Sequence, residues 1–294
     1  MSYQNAVVTT EDGRALEVAS VGDPAGPTIF FHHGTPGAAS LLKSFSSSAE
    51  QHGVFMVSMS RAGYGSSGRR AGRVVASVVD DVRAALDHFG RDRYLTIGWS
   101  GGGPHALACA ALDAPRCVAA WSLAGVAPAN VDFDWTEGMG PENIEEFELA
   151  RQGGPEYEAH IKSISEAFAD ANEANIIAYF GGLLSDVDVA ALADDTARSV
   201  LAEACRDSGR TGYFGFIDDD QAFMSDWGFD LRDISTPTNI WFGDHDLMVP
   251  PTHGAYLSAH VPGAVAVHRP DEGHVSLVSN HQDELFAACL AAWH

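Results

Sequence analysis

One serine in this chain sits where chemistry could be done. In Gly98-Trp99-Ser100-Gly101-Gly102, an apolar run at 94–99 leads into the pentapeptide and a helical pattern begins at Gly103-Pro104. The pentapeptide fits G-x-S-x-G, a sharp strand-to-helix turn that exposes a serine oxygen. Glycines belong there because side chains would clash and because the turn holds the serine in a strained conformation. The helix that follows aims its free N–H groups and its dipole at any negative charge forming on the serine. The plain alternative is a glycine-rich turn whose serine caps a helix.

Three further clusters would complete a nucleophilic site. His32-His33-Gly34-Thr35-Pro36-Gly37 follows an apolar run at 28–32, and a loop there can lean over the serine and donate a backbone N–H to an oxyanion. Thr35 and Gly101 are the two N–H donors so nominated. Serine is a weak nucleophile until a histidine takes its proton, and the imidazole needs a carboxylate to fix its tautomer. His274 follows the last apolar run, and Asp244 or Asp246 ends the run before it. The order serine, acid, histidine is that of the serine-elbow enzymes. Trp99 and His33, beside the nucleophile and the oxyanion loop, are candidates to touch substrate.

The elements that must position these residues are legible as a pattern. Residues 6–10 and 14–21 read as a hairpin across Asp12-Gly13. Strand-length apolar runs follow at 28–32, 54–60, 94–99, 118–124, 239–242 and 264–268, with helical stretches at 74–89, 104–112, 252–261 and 275–293. Such alternation predicts an α/β fold, a doubly wound and mostly parallel sheet with helices on both faces. Between the fourth and fifth runs lies a segment of another character. Residues 128–233 hold 24 acidic and 6 basic residues, so −18 of the chain's net −23 falls there. The segment lacks short Val/Ile runs and reads as helices at 143–151, 156–180 and 187–206. The expected organisation is a core of 1–127 and 234–294 with an inserted acidic helical cap, 128–233.

Forty acidic residues against 17 basic ones argue against a nucleic-acid partner and against docking on anionic lipid. No apolar run approaches the ~20 residues that span a bilayer. Met1 to Asn5 has neither a basic nor an apolar stretch of the signal-peptide kind. Cys109, Cys117, Cys205 and Cys289 are scattered without a CxxC pair and read as buried, reduced thiols, so the cytoplasm is the expected compartment.

With these motifs in this order, the chain resembles the serine hydrolases of the α/β-hydrolase fold superfamily over residues 6–126 and 234–294. The resemblance implies a catalytic triad of Ser100, Asp246 and His274. The superfamily's strand-end pattern G-x-x-D, counted from Gly243, selects Asp246 over Asp244. The residue after His-Gly supplies the first oxyanion donor, hence Thr35, and the bond before Pro36 is often cis in relatives. Ser100 where epoxide hydrolases and haloalkane dehalogenases have aspartate argues against both. His-Gly-Thr-Pro-Gly is similar to the proline iminopeptidases, although their pattern has glycine at the position of Thr35 and their elbow reads Gly-x-Ser-Trp-Gly.

No cofactor and no metal are expected. Gly63-Tyr64-Gly65-Ser66-Ser67-Gly68 matches G-x-G-x-x-G, but its helix begins only near Val74, and the superfamily has an Arg-Gly-Tyr-Gly-like turn at this place. The 13 histidines form no H-E-x-x-H or i,i+4 pair. Asp218-Asp219-Asp220 reads as a solvated turn. Phe133, Trp135, Phe147, Phe180, Phe214, Phe216, Phe223 and Trp227 are candidates for pocket walls or for the cap's own core. The expected activity is hydrolysis of a small ester, amide or related acyl compound through an acyl-serine. The alternatives are an aminopeptidase, with cap carboxylates pairing a substrate ammonium, and a non-catalytic ligand-binding member of the fold.

Overall fold

A computed structural model describes residues 3–293. Eight strands form one sheet: β1 (Gln4–Thr9), β2 (Ala15–Gly22), β3 (Thr28–His32), β4 (Phe55–Met59), β5 (Tyr94–Trp99), β6 (Cys117–Leu123), β7 (Thr238–Gly243) and β8 (Val265–Arg269). Their order is β1-β2-β4-β3-β5-β6-β7-β8; β1 and β2 pair antiparallel, as do β2 and β4, and the rest is parallel. β3 and β4 are buried along their whole length. A strand covered on both faces needs apolar side chains at consecutive positions, which is why Ile29 to Phe31 and Phe55 to Val57 are continuous apolar runs.

Alternation across the sheet divides the core. Phe30, Val57 and Ile240 lie on the face covered by the helices Val78–His88, Gly103–Leu112 and Pro251–His260, in one cluster with their Val82, Leu107 and Leu257. Ile29, Phe31, Ile97 and Trp121 point the other way, toward Ala49 and Phe286 on Ser46–Gln51 and Gln282–Trp293. From β3 the chain moves outward to β4 and then crosses back to lay β5 on the other side of β3. The winding direction therefore reverses between β3 and β5. Ligands in open α/β sheets bind in the crevice outside the carboxyl ends of the strands at such a reversal. The loops at that crevice start at His33 and Ser100.

Residues 128–233 leave the sheet after β6 and return to it at β7. Their α-helices are Pro141–Gln152, Gly154–Phe168, Ile176–Phe180, Asp186–Ala191, Asp195–Ser208 and Phe214–Met224, and among the described residues the segment adds no strand. Two helices expected as continuous are broken. The run 156–180 stops after Phe168, where Asn175 accepts from the Asn172 N–H and Asn172 from Ala174 N–H, so asparagine side chains take over backbone groups a helix would use. The run 187–206 restarts at Asp194, whose carboxylate accepts from Thr196 N–H as an N-cap. The C-terminal run likewise divides into Ser276–Ser279 and Gln282–Trp293. No helix of the described residues is long and apolar enough to cross a membrane.

Candidate active site

Ser100 is the first residue beyond β5, at the start of a single 3-10 turn that runs into the helix Gly103–Leu112. Its φ is +57°, a left-handed backbone that costs an L-residue roughly 1–2 kcal/mol. The turn is tight enough that a Cβ on Gly98 would lie 2.1 Å from Gly102 O, so the pentapeptide's first glycine is required by the approach of the helix to its own strand. A Cβ on Gly101 would lie 2.3 Å from Thr35 Oγ1. The two residues nominated as oxyanion donors are thus side by side, and both line one cavity with Ser100. The Thr35–Pro36 peptide is cis.

His274 follows β8, and its ring is cut off from solvent. Asp246 Oδ2 lies 2.8 Å from His274 Nδ1, so the carboxylate accepts the Nδ1–H and leaves Nε2 to take a proton. The other carboxylate oxygen of Asp246 accepts from Met248 N–H (2.9 Å) and Val249 N–H (2.7 Å), which fixes the acid in turn. Burial disfavours a charged imidazole, but the charge and hydrogen bond of Asp246, aided by Asp188, outweigh it and hold the His274 pKa above the usual histidine value. Asp244 is turned away to solvent and pairs with His268 Nε2 at 2.7 Å.

Trp99 and His33 are placed differently from expectation. Trp99 packs with Phe31, Phe45, Val275 and Val278; its Nε1–H donates to His274 O at 3.0 Å and its ring lies 5.3 Å from the imidazole. It steadies the histidine loop and does not line the cavity that holds Ser100. His33 is fully buried, with Nδ1 2.7 Å from Gly34 O and Nε2 accepting from Arg61 N–H. It has no surface to offer a substrate, because the loop folds back over its ring.

The largest correction concerns Asp218-Asp219-Asp220. These residues lie in the helix Phe214–Met224 and all three are buried. Asp219 has no exposure and gathers Arg61 (Nη2–Oδ2 2.5 Å), Arg73 (Nη1–Oδ1 2.6 Å), the Tyr64 hydroxyl (2.9 Å) and the Thr35 hydroxyl (2.7 Å). Burial opposes its ionisation, yet the two guanidinium groups hold its carboxyl well below the usual carboxylate range. Arg61 in turn donates to the carbonyls of His33 and Gly34. Asp188, also without exposure, accepts from three consecutive N–H groups, His274 (3.1 Å), Val275 (2.7 Å) and Ser276 (2.9 Å).

The cavity has a volume of about 210 Å³ and is walled by both parts of the chain. Thr35, Ser100 and Gly101 come from the sheet's loops, Phe147, Phe168 and Phe223 from the insertion. Four of the eight aromatic candidates line it, Phe147, Phe180, Phe216 and Phe223; Phe133, Trp135, Phe214 and Trp227 pack elsewhere. Glu146 lies in its wall, nine-tenths buried and accepting no hydrogen bond from the described residues, and burial pushes its pKa up to about 8. Asp220, beside it electrostatically, is likewise raised by burial and by the Glu146 charge. Among the described lining residues there is no lysine or arginine. No group of three or more His, Cys, Asp or Glu among the described residues is arranged to hold a metal ion.

The alpha/beta hydrolase family model matches residues 29–288, and the chain belongs to that family. Solved structures share the architecture along nearly the whole chain. An alpha/beta hydrolase fold protein from Nakamurella multipartita is 24% identical, with 97% of this chain and 99% of that one covered and a TM-score of 0.64. An esterase from Exiguobacterium antarcticum is 16% identical, with 99% of each chain covered and a TM-score of 0.68. A bromoperoxidase from Bacillus anthracis is 18% identical, with 98% and 99% covered and a TM-score of 0.69. At these identities the likeness is one of fold, and the fold carries more than one chemistry. No curated protein sequence matches the chain.

Proposed function

We propose that the protein is a serine hydrolase that cleaves a small ester, amide or related acyl compound through an acyl-serine intermediate. The observation that carries this reading is the buried His274–Asp246 pair in a chain whose Ser100, at φ +57°, shares a cavity with Thr35 and Gly101. Ser100 Oγ attacks the acyl carbon as His274 Nε2 takes the hydroxyl proton. The carbonyl oxygen becomes the oxyanion held by the N–H groups of Thr35 and Gly101. The bond to the leaving group then breaks and the leaving group receives the proton from His274. Water, deprotonated by the same imidazole, releases the acid and restores Ser100. Residues 128–233 act as a cap that supplies most of the apolar wall, and the four buried, free cysteines suit a reducing compartment such as the cytoplasm.

A second reading, aminopeptidase-like cleavage, is favoured by Glu146. A buried carboxyl with no hydrogen-bond partner among the described residues, in a cavity whose described lining has no lysine or arginine, is a place where a substrate ammonium would be stabilised. Turnover of p-nitrophenyl esters beside aminoacyl-naphthylamides by the same preparation tests both readings. Ester turnover with unreactive naphthylamides supports the first, naphthylamide turnover that falls in Glu146→Gln supports the second, and hydrolysis of neither contradicts both.

A further inference from the structure

Both loops that carry the proposed chemistry are held from the insertion's side, by two carboxylates without solvent contact. Asp188, in the helix Asp186–Ala191, takes the N–H groups of His274, Val275 and Ser276; Asp219, in the helix Phe214–Met224, takes the Thr35 hydroxyl and the Arg61 guanidinium that grips the carbonyls of His33 and Gly34. We propose that Asp188 and Asp219 are positioning residues of the active site, through which the insertion sets the geometry of the histidine loop and of the oxyanion loop.

Burying an ionised carboxylate is costly unless charges or several donors surround it, and each of these two is surrounded. What each fixes is a catalytic atom's neighbourhood. The two oxygens of Asp188 divide the work: Oδ1 serves Val275 and Ser276, Oδ2 serves His274 N–H and the Ser185 hydroxyl. Asp219 bonds Thr35 directly, through the side chain of the residue whose own N–H meets the oxyanion. A displacement of about 1 Å at either loop is enough to cost on the order of 100-fold in rate. Asp188 also faces the imidazole as a charge, together with Asp246 from the loop after β7, while the Trp99 ring packs beside it from β5. The sheet's loops therefore do not carry a complete site by themselves.

The inference rests on the serine-hydrolase reading, and its test separates the two. Wild type, Asp188→Asn and Thr35→Val are compared for steady-state turnover and for the rate at which a fluorophosphonate phosphonylates Ser100, with folding followed by circular dichroism. The carboxamide introduced by Asp188→Asn keeps one acceptor oxygen but turns an N–H₂ toward His274 N–H, so it unlatches the histidine with little change of volume. Thr35→Val cuts the link to Asp219 while sparing the Arg61–Asp219–Arg73 cluster, whose loss in Asp219→Asn would strand two buried guanidinium groups. The expected result is a fall in kcat of about 10- to 100-fold in folded Asp188→Asn with a smaller change in KM. The acidic limb of its kcat/KM profile should move to lower pH, because one of the two anions facing His274 is gone. Thr35→Val should phosphonylate at least about 10-fold more slowly. Folded variants with wild-type kcat, acidic limb and phosphonylation rate would overturn the inference while wild-type labelling upholds the hydrolase reading. A wild type that resists the probe would sink both.

Discussion

His274 Nδ1 and Asp246 Oδ2 are 2.8 Å apart with neither side chain exposed to water, whereas Asp244, two positions earlier, faces solvent and bonds His268. Asp246→Asn should therefore lower kcat by about 10³- to 10⁴-fold, since a carboxamide holds the wrong tautomer and cannot stabilise the imidazolium. Asp244→Asn should stay within a few-fold of wild type. Steady-state kinetics of the two variants decide it; a crippled Asp244 variant beside an active Asp246 variant would reverse the assignment.

The pH dependence follows from the same pair. Asp246 and Asp188 hold the His274 pKa above the ordinary 6.5, and a general base works only when neutral. The acidic limb of kcat/KM should thus have its midpoint above pH 6.5, with activity rising as pH rises through it. A midpoint at or below 6.5 in the wild type would show that desolvation, not the two carboxylates, governs the ring.

Much of this arrangement is readable from the residues alone. Gly98 to Gly102 is legible because the constraint is local: a strand, a forced turn and a helix follow one another in sequence. The apolar runs at 28–32, 54–60, 94–99, 118–124 and 239–242 are legible because burial on both faces demands mostly apolar side chains, whereas 264–268 forms the exposed edge strand β8. Asp219 escapes such a reading for a physical reason. An acidic triplet belongs in water unless cations wait for it, and its cations, Arg61 and Arg73, come from the other part of the chain, 158 residues away for Arg61. Asp188 escapes likewise, since its N–H partners begin 86 residues downstream. His33 reads as a contact residue because the sequence shows the loop but not how it folds back. The breaks at Asn172 and Asp194 are local and carry a signal in their side chains, which the apolar pattern alone does not weigh.

Glu146 gives a prediction about stability. Its pKa is near 8 in the folded protein against about 4.5 when exposed, so the folded state keeps a proton that the unfolded chain releases. The contribution is fully present below about pH 4.5 and is lost as pH rises toward 8. Glu146→Gln should consequently melt close to wild type at pH 5 and at higher temperature than wild type at pH 8.5, where its gain in stability is on the order of a few kcal/mol at most. Calorimetry at the two pH values checks it. A gap that does not widen with pH would mean that the carboxyl is ionised in place, or relieved by a group that reaches it in solution.

Substrate charge should matter as well. Residues 128–233 carry a net −18, and Glu142 and Glu145 line the cavity without a lysine or arginine among its described lining. Neutral or cationic acyl substrates should surpass matched anionic ones in kcat/KM at low ionic strength, and the difference should shrink as salt screens the field. A salt series on one matched pair measures this; an anionic substrate preferred at low salt would contradict it.

The account stands or falls on Ser100 as the nucleophile. The most direct measurement is peptide mapping by mass spectrometry after fluorophosphonate treatment of wild type and Ser100→Ala, with hydrolysis assayed on the same samples. One adduct on Ser100 is predicted, absent from the alanine variant, whose turnover should fall by several orders of magnitude while its circular dichroism stays that of the wild type. An adduct on another residue with Ser100 untouched, or a folded Ser100→Ala protein that still hydrolyses substrate at the wild-type rate, would contradict it.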